Sequence, residues 1–237
     1  MNDDAPVTER FARIRDRIEA ACRRSGRPAG SVTLVGASKT QAPALLAEAW
    51  AAGVRVFGEN RVQEAVAKSR ELPSGIEWHL IGPLQSNKVR PAVELFRAVH
   101  SIDRPRIAEA LDREAAARGK RLDGFLEINL GGEESKHGFV PEGLADAVRP
   151  LAGLAHLRIA GLMAIPPPGK TAADSRPWFR RLRELRDELA SRPEWQSFPG
   201  WLSMGMSDDF EVAVEEGATH VRVGSALFGP RRPHLAT

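Results

Sequence analysis

The residues of this sequence that could do chemistry together are a lysine, an arginine, two serines and a glycine. Lys39 closes the stretch Ser31-Val32-Thr33-Leu34-Val35-Gly36-Ala37-Ser38-Lys39-Thr40. That run is short, apolar and β-branched, with little alternation, which predicts a strand covered on both faces. An ammonium at the end of such a strand must be paired, solvated or neutralised. Two readings stand. Lys39 leaves the strand for solvent on its flexible stem, or its amine attacks an aldehyde and forms a Schiff base. Arg222 lies between Val221 and Val223, and an arginine inside an apolar strand needs a partner. Ser207 stands where a helix begins. It is either an N-cap, worth about 1 kcal/mol, or a hydroxyl offered to a phosphate held by backbone amides. Gly224-Ser225 follows the last strand and would let backbone approach the same group closely. Asp208 and Asp209 would repel a phosphate and must point away if that reading holds.

The elements that must position these groups alternate regularly. Thr8 to Arg24 predicts a helix with Phe11, Ile14, Ile18 and Ala21 on one stripe, packed across a larger domain. Strands are expected at Val32–Ser38, Val54–Phe57, Ile76–Ile81, Ala98–Ile102, Phe125–Leu130, Leu157–Ile165, Trp201–Met206 and His220–Val223. Helices are expected at Pro43–Ala52, Val62–Leu72, Val89–Phe96, Arg106–Arg118, Glu142–Leu151, Trp178–Ala190 and Phe210–Glu216, with a loose tail after Gly229. Strand–helix alternation implies a parallel sheet, because each crossover carries a helix. Eight such units in 237 residues match an α/β fold, a single (β/α)8 TIM-type barrel with an extra N-terminal helix. The expected layout is one domain, 1–237, with the helix at 8–25 and the barrel at 31–229. A doubly wound open sheet is the alternative, but no G-x-G-x-x-G follows the first strand.

Ligand sites of such barrels lie at the C-terminal ends of the strands. Those ends carry Lys39, Glu59-Asn60, His79, Asn129, Met163, Ser203 and Ser207. The loops after strands seven and eight, where such barrels often hold phosphate, read Leu202-Ser203-Met204-Gly205-Met206-Ser207-Asp208 and Val223-Gly224-Ser225. A pyridoxal cofactor needs a lysine for its aldehyde, a cradle for its phosphate and a partner for its pyridine nitrogen. Lys39, Ser207 with Gly224 and Ser225, and Arg222 supply that set. An always-charged arginine would keep the ring nitrogen unprotonated, making a weaker electron sink than an aspartate partner would.

Composition narrows the rest. The chain is 42% hydrophobic and 27% charged, ordinary for a globular domain with a real core. A net charge of +3, spread along the chain, supports no nucleic-acid partner. One cysteine, Cys22, precludes an intrachain disulfide and fits a reducing compartment. No apolar run approaches a membrane span, and the acidic, polar N-terminus resembles no export signal. The six histidines show no zinc spacing, Gly36–Thr40 lacks the P-loop glycine spacing, and there is no G-x-S-x-G elbow.

The motifs closely resemble those of the pyridoxal phosphate homeostasis proteins, a group related to the N-terminal barrel of alanine racemase. The matching segments are Val35–Thr40, Phe57-Gly58-Glu59-Asn60 with Val62-Gln63-Glu64, Trp78–Lys88, Ile128-Asn129 with Ser135-Lys136-His137-Gly138, Gly161–Ile165, Leu202–Asp209 and Val221–Gly229. They span nearly the whole chain. The resemblance implies pyridoxal 5′-phosphate held as a Schiff base on Lys39, phosphate contacts around Ser207, Gly224 and Ser225, and Arg222 on the pyridine nitrogen. The full candidate cofactor-binding set is Lys39, Asn60, His79, Met163, Ser203, Met204, Ser207, Arg222, Gly224 and Ser225, with no catalytic residue and no metal. Arg61 stands where an aromatic is frequent and Ser225 where threonine is frequent; neither departure threatens the cofactor.

The family points to a protein that buffers or delivers the cofactor, and to apo pyridoxal-phosphate enzymes as partners of a cytoplasmic monomer. An amino-acid racemase or related enzyme is the alternative. A two-base racemase needs a second acid–base group opposite the lysine, which in the alanine racemase relatives is a tyrosine from another domain. This sequence contains no tyrosine. Lys136 or His137 could substitute, or could simply belong to a solvated loop.

Overall fold

The computed structural model describes residues 5–133 and 137–230. Eight parallel strands close into a barrel in sequence order: β1 (Thr33–Ala37), β2 (Val56–Glu59), β3 (Glu77–Leu80), β4 (Ala98–Ile102), β5 (Leu122–Glu127), β6 (Leu157–Met163), β7 (Trp201–Ser203) and β8 (His220–Val223). β8 pairs back to β1, with Arg222 beside Val35. The helices between them are α2 (Pro43–Ala52), α3 (Val62–Ser69), α4 (Val89–Leu95), α5 (Pro105–Ala117), α6 (Leu144–Val148), α7 (Arg176–Ala190) and α8 (Phe210–Glu215). α1 (Val7–Arg24) precedes the barrel, and a short α9 (Ser225–Phe228) follows it.

Local chemistry fixes the helix ends. α2 opens on a proline, whose missing N–H costs nothing there, and closes on Gly53 at φ 114°. α1 buries Val7, Ile14, Ile18, Ala21 and Cys22 on one face. Arg17 and Arg24 on its other side reach Glu211 and Glu215 of α8 at 3.0 and 2.7 Å, closing the helix ring where the chain ends meet. Inward-facing side chains alternate along each strand, so the barrel is filled rather than hollow. The filling is unusual. His79, His100 and His220 pack there with Phe125 and Trp201, the His100 and Phe125 rings stacking at 4.1 Å.

Several boundaries differ from expectation for physical reasons. β5 starts at Leu122, although Asp123-Gly124 is a turn dipeptide in sequence. Asp123 is instead ion-paired with Arg158 at 2.7 Å, and Gly124 packs against Ile102, whose Cδ1 would lie 2.6 Å from an added Cβ. β7 stops at Ser203, because Gly205 turns the chain at φ 91° and its carbonyl accepts from the Arg222 amide. The helix expected over Glu142–Leu151 is a five-residue α6 followed by a 3-10 turn, since Pro150 has no N–H to donate. The tail expected to be loose after Gly229 lies, from residue 231 on, outside the described residues; before it, α9 is a helix that propensity did not reveal.

Candidate functional site

At the C-terminal end of the barrel, β1 ends in a turn in which the Gln41 amide donates to the Ser38 carbonyl at 3.0 Å. Thr40, at φ 64°, sits in the left-handed region, and it is the one non-glycine residue to do so among the described residues. A β-branched residue there is strained, and strain of this kind collects at functional sites. The turn is held from outside the barrel. Lys68, on the buried face of α3, donates to the Ser38 carbonyl at 2.8 Å and to Glu59 Oε1 at 2.6 Å. Ser38 Oγ donates to the same carboxylate oxygen at 2.7 Å. Lys39 projects from this turn, half-buried, into a cleft.

The cleft has a volume of about 210 Å³. Lys39, Ser207, Arg222, Gly224 and Ser225 line it together, with Ala37, Gln41, Met206, Asp208 and Gly229. Five of the ten residues expected at the site therefore converge. Ser207 is not an N-cap: its Oγ accepts from the Ala226 amide at 3.2 Å, tying the loop after β7 to the start of α9. An added Cβ on Gly224 would be 3.5 Å from Ala37, so the backbone of the β8 loop lies close over the end of β1. Of the two aspartates, Asp209 does turn away, accepting from the Met206 amide at 2.7 Å and from Ser175 Oγ at 2.8 Å. Asp208 is exposed to solvent at the cleft wall.

Arg222 is buried under the cleft. Its Nη1 donates to the Ser203 carbonyl and to Ser203 Oγ, both at 2.7 Å, and its Nη2 donates to the Ala164 carbonyl at 3.0 Å. Burial pushes its pKa down to about 10, against the attraction of Glu127 and Asp209, so it is a cation at neutral pH. Glu127, the last residue of β5, lies across the closed barrel from β1. Burial first, then Asp103, raises its carboxyl to about 7, with Arg222 opposing.

The other five expected residues do not line the cleft. Ser203 lies behind Arg222, its carbonyl and Oγ both accepting from the guanidinium. His79 was placed at the rim because it falls near a strand end. Its ring is instead buried in the barrel, bonded to Glu77 at 2.9 Å and His100 at 2.9 Å, since β3 continues past it. Met163 is buried among Ala98, Phe125 and Trp201 inside the barrel. Met204 packs in the apolar layer between sheet and helices, because the chain has already turned at that point. Asn60 is half-buried, its backbone packed under Gly82. Of the two groups considered as a second acid–base, Lys136 lies outside the described residues. His137 is exposed, with Nδ1 3.7 Å from Asp103.

Larger hollows of about 390 and 470 Å³ open elsewhere, the second at the opposite, N-terminal end of the barrel. Size does not decide between them. Of these three hollows, the smaller cleft is the one that joins a primary amine, a guanidinium, a hydroxyl and close-lying backbone at the end of the strands where such barrels carry their chemistry. That set suits an anionic heteroaromatic aldehyde.

Barrel and cleft together define a chain of the alanine racemase N-terminal type, and the model of the family "Alanine racemase, N-terminal domain" matches residues 11–232. The chain belongs to that family and, within it, to the pyridoxal phosphate homeostasis proteins. The protein of that name from Aquifex aeolicus is 45% identical over 94% of this chain and 98% of its own length. The one from Escherichia coli K12 is 41% identical over 98% of both chains. Among solved structures, PipY of Synechococcus elongatus with PLP bound superposes with a TM-score of 0.82 at 42% identity, covering 94% of this chain and all of that one. Among the described residues no helix is long and apolar enough to cross a membrane.

Proposed function

We propose that this chain holds pyridoxal 5′-phosphate in the C-terminal cleft as a Schiff base on Lys39, and that it buffers the cofactor or delivers it to apo-enzymes. One observation carries the reading. The half-buried Lys39 amine shares a small cleft with Arg222 and with the two loops bearing Ser207, Gly224 and Ser225. In this reading Ser207 and the backbone at Gly224-Ser225 take the phosphate, and Arg222 faces the ring nitrogen. Ser203 supports Arg222 from behind. The names of the close relatives and the PLP-bound PipY structure support the assignment. The proposed setting is the cytoplasm, as a monomer, in keeping with a single cysteine that cannot form an intrachain disulfide.

The enzyme alternative has one feature in its favour. Glu127 is a mostly buried carboxyl that titrates near 7 on the side of the mouth away from β1. One experiment separates the two readings: α-proton exchange of alanine in D2O, followed by NMR with cofactor-loaded protein. The carrier reading expects exchange no faster than with free pyridoxal phosphate. Rapid deuterium incorporation that disappears in Glu127→Gln would replace the carrier with an enzyme.

A further inference from the structure

We propose that Glu77, His79, His100 and Ser203 form a directional hydrogen-bonded line through the barrel that positions the Arg222 guanidinium from the far mouth. The inference rests on the reading of the C-terminal cleft as the cofactor site.

The line has four links. Arg222 Nη1 lies 2.7 Å from Ser203 Oγ. Ser203 Oγ lies 2.8 Å from His100 Nδ1, and His100 Nε2 lies 2.9 Å from His79 Nδ1. His79 Nε2 lies 2.9 Å from Glu77 Oε1. Chemistry sets the direction. Arginine can only donate, so Ser203 Oγ accepts at that end. A carboxylate can only accept, so His79 must present Nε2–H to Glu77. His79 Nδ1 is then an acceptor, which puts the His100 proton on Nε2. His100 Nδ1 is left to accept, and the Ser203 hydroxyl donates to it. The carboxylate end sets this order, and the arginine end is compatible with it, because the Ser203 oxygen accepts from Arg222 while its hydroxyl donates to His100.

The surroundings keep the His100 ring neutral. His100 is fully buried, and desolvation, with the nearby His79, His220 and Arg222, holds its pKa well below the ordinary imidazole value. The hydrogen bond from His79 lowers the Glu77 carboxyl, with Arg97 and His220 adding to it. At the other end Glu127 and Asp209 face Arg222. Aligned hydrogen bonds in a low-dielectric interior polarise one another, here between a cation and an anion.

The line explains why Arg222 is fixed. Both Nη1 hydrogens go to Ser203 and one Nη2 hydrogen to the Ala164 carbonyl. Nε–H and the second Nη2 hydrogen have no acceptor among the described residues, and the side chain lines the cleft. One edge of the guanidinium is thus held by the protein and the other is left for a ring atom. Glu77, half-exposed at the opposite mouth, is a positioning residue for that edge.

The test has two arms. In the cofactor-free protein, long-range 15N–1H spectra of labelled histidine should show His79 and His100 both protonated on Nε2, with the His100 pattern disturbed in Ser203→Ala. A proton on His100 Nδ1 in the unsubstituted protein overturns the line. In the second arm, pyridoxal phosphate is titrated by its near-ultraviolet and visible band. Glu77→Gln should shift the band and weaken binding about fivefold, the low end of measured coupling between distant sites. Arg158→Gln, which removes a charge from the same mouth without touching the line, should leave band and affinity unchanged. If Glu77→Gln behaves like Arg158→Gln, the positioning role is wrong. If no band forms in the unsubstituted protein while the tautomers are as stated, the cofactor reading falls and the positioning role with it.

Discussion

Lys68 donates to the carbonyl of Ser38, the residue before Lys39, at 2.8 Å, while its ammonium also meets Glu59 at 2.6 Å. A buried ion pair on the outer side of the sheet therefore pins the backbone from which the cleft's amine projects. Glu59 Oε2 is buried with no partner among the described residues, so this carboxylate depends on Lys68 and Ser38. Lys68→Met should cost about 3 kcal/mol, because removing one partner strands a buried charge. Glu59→Gln combined with Lys68→Met should recover much of that loss. Urea denaturation measures both; equal stability of Lys68→Met and the unsubstituted chain would remove the pin from the account.

Thr40 adds strain on the other side of Lys39. Left-handed backbone costs an L-residue about 1–2 kcal/mol, and glycine avoids that at an entropic cost of about 0.5–1 kcal/mol. Thr40→Gly should raise stability by up to about 1 kcal/mol. A thermal melt reads it, and a lower Tm would mean that the threonine side chain makes contacts outweighing the strain.

What the sequence made legible follows from period and punctuation. Lys39, Arg222, Ser207, Gly224 and Ser225 were readable because strand alternation and loop glycines place them at one rim. His79 was misplaced because a strand end cannot be located to one residue from pattern alone, and β3 runs on past it to Leu80. Met204 was misplaced for the same reason, with a sharper turn at Gly205. The Glu59–Lys68 pair was invisible. A lysine in a helix reads as solvent-facing, and only the closed barrel shows that this one faces the sheet. The histidine line was equally hidden, since its members come from three strands whose order is a property of the fold.

Glu127 should leave a signature in stability against pH. Its folded pKa, raised to about 7 by burial and Asp103, lies above the unfolded carboxyl value. The folded state therefore binds its proton more tightly. The contribution is full at low pH and is lost as pH rises from about 4.5 to 7. Glu127→Gln should match the unsubstituted chain near pH 4 and exceed it by up to about 3 kcal/mol above pH 7. Denaturation curves across that range check it; parallel curves would show that the carboxyl is not perturbed.

In the proposed site the Lys39 amine takes the cofactor aldehyde. Borohydride reduction of the pyridoxal-phosphate-loaded protein, followed by peptide mapping, shows which lysine carries it. The expected result is one reduced adduct, on Lys39, and no near-ultraviolet or visible band in Lys39→Ala. An adduct on another lysine, with the band retained in Lys39→Ala, would contradict it.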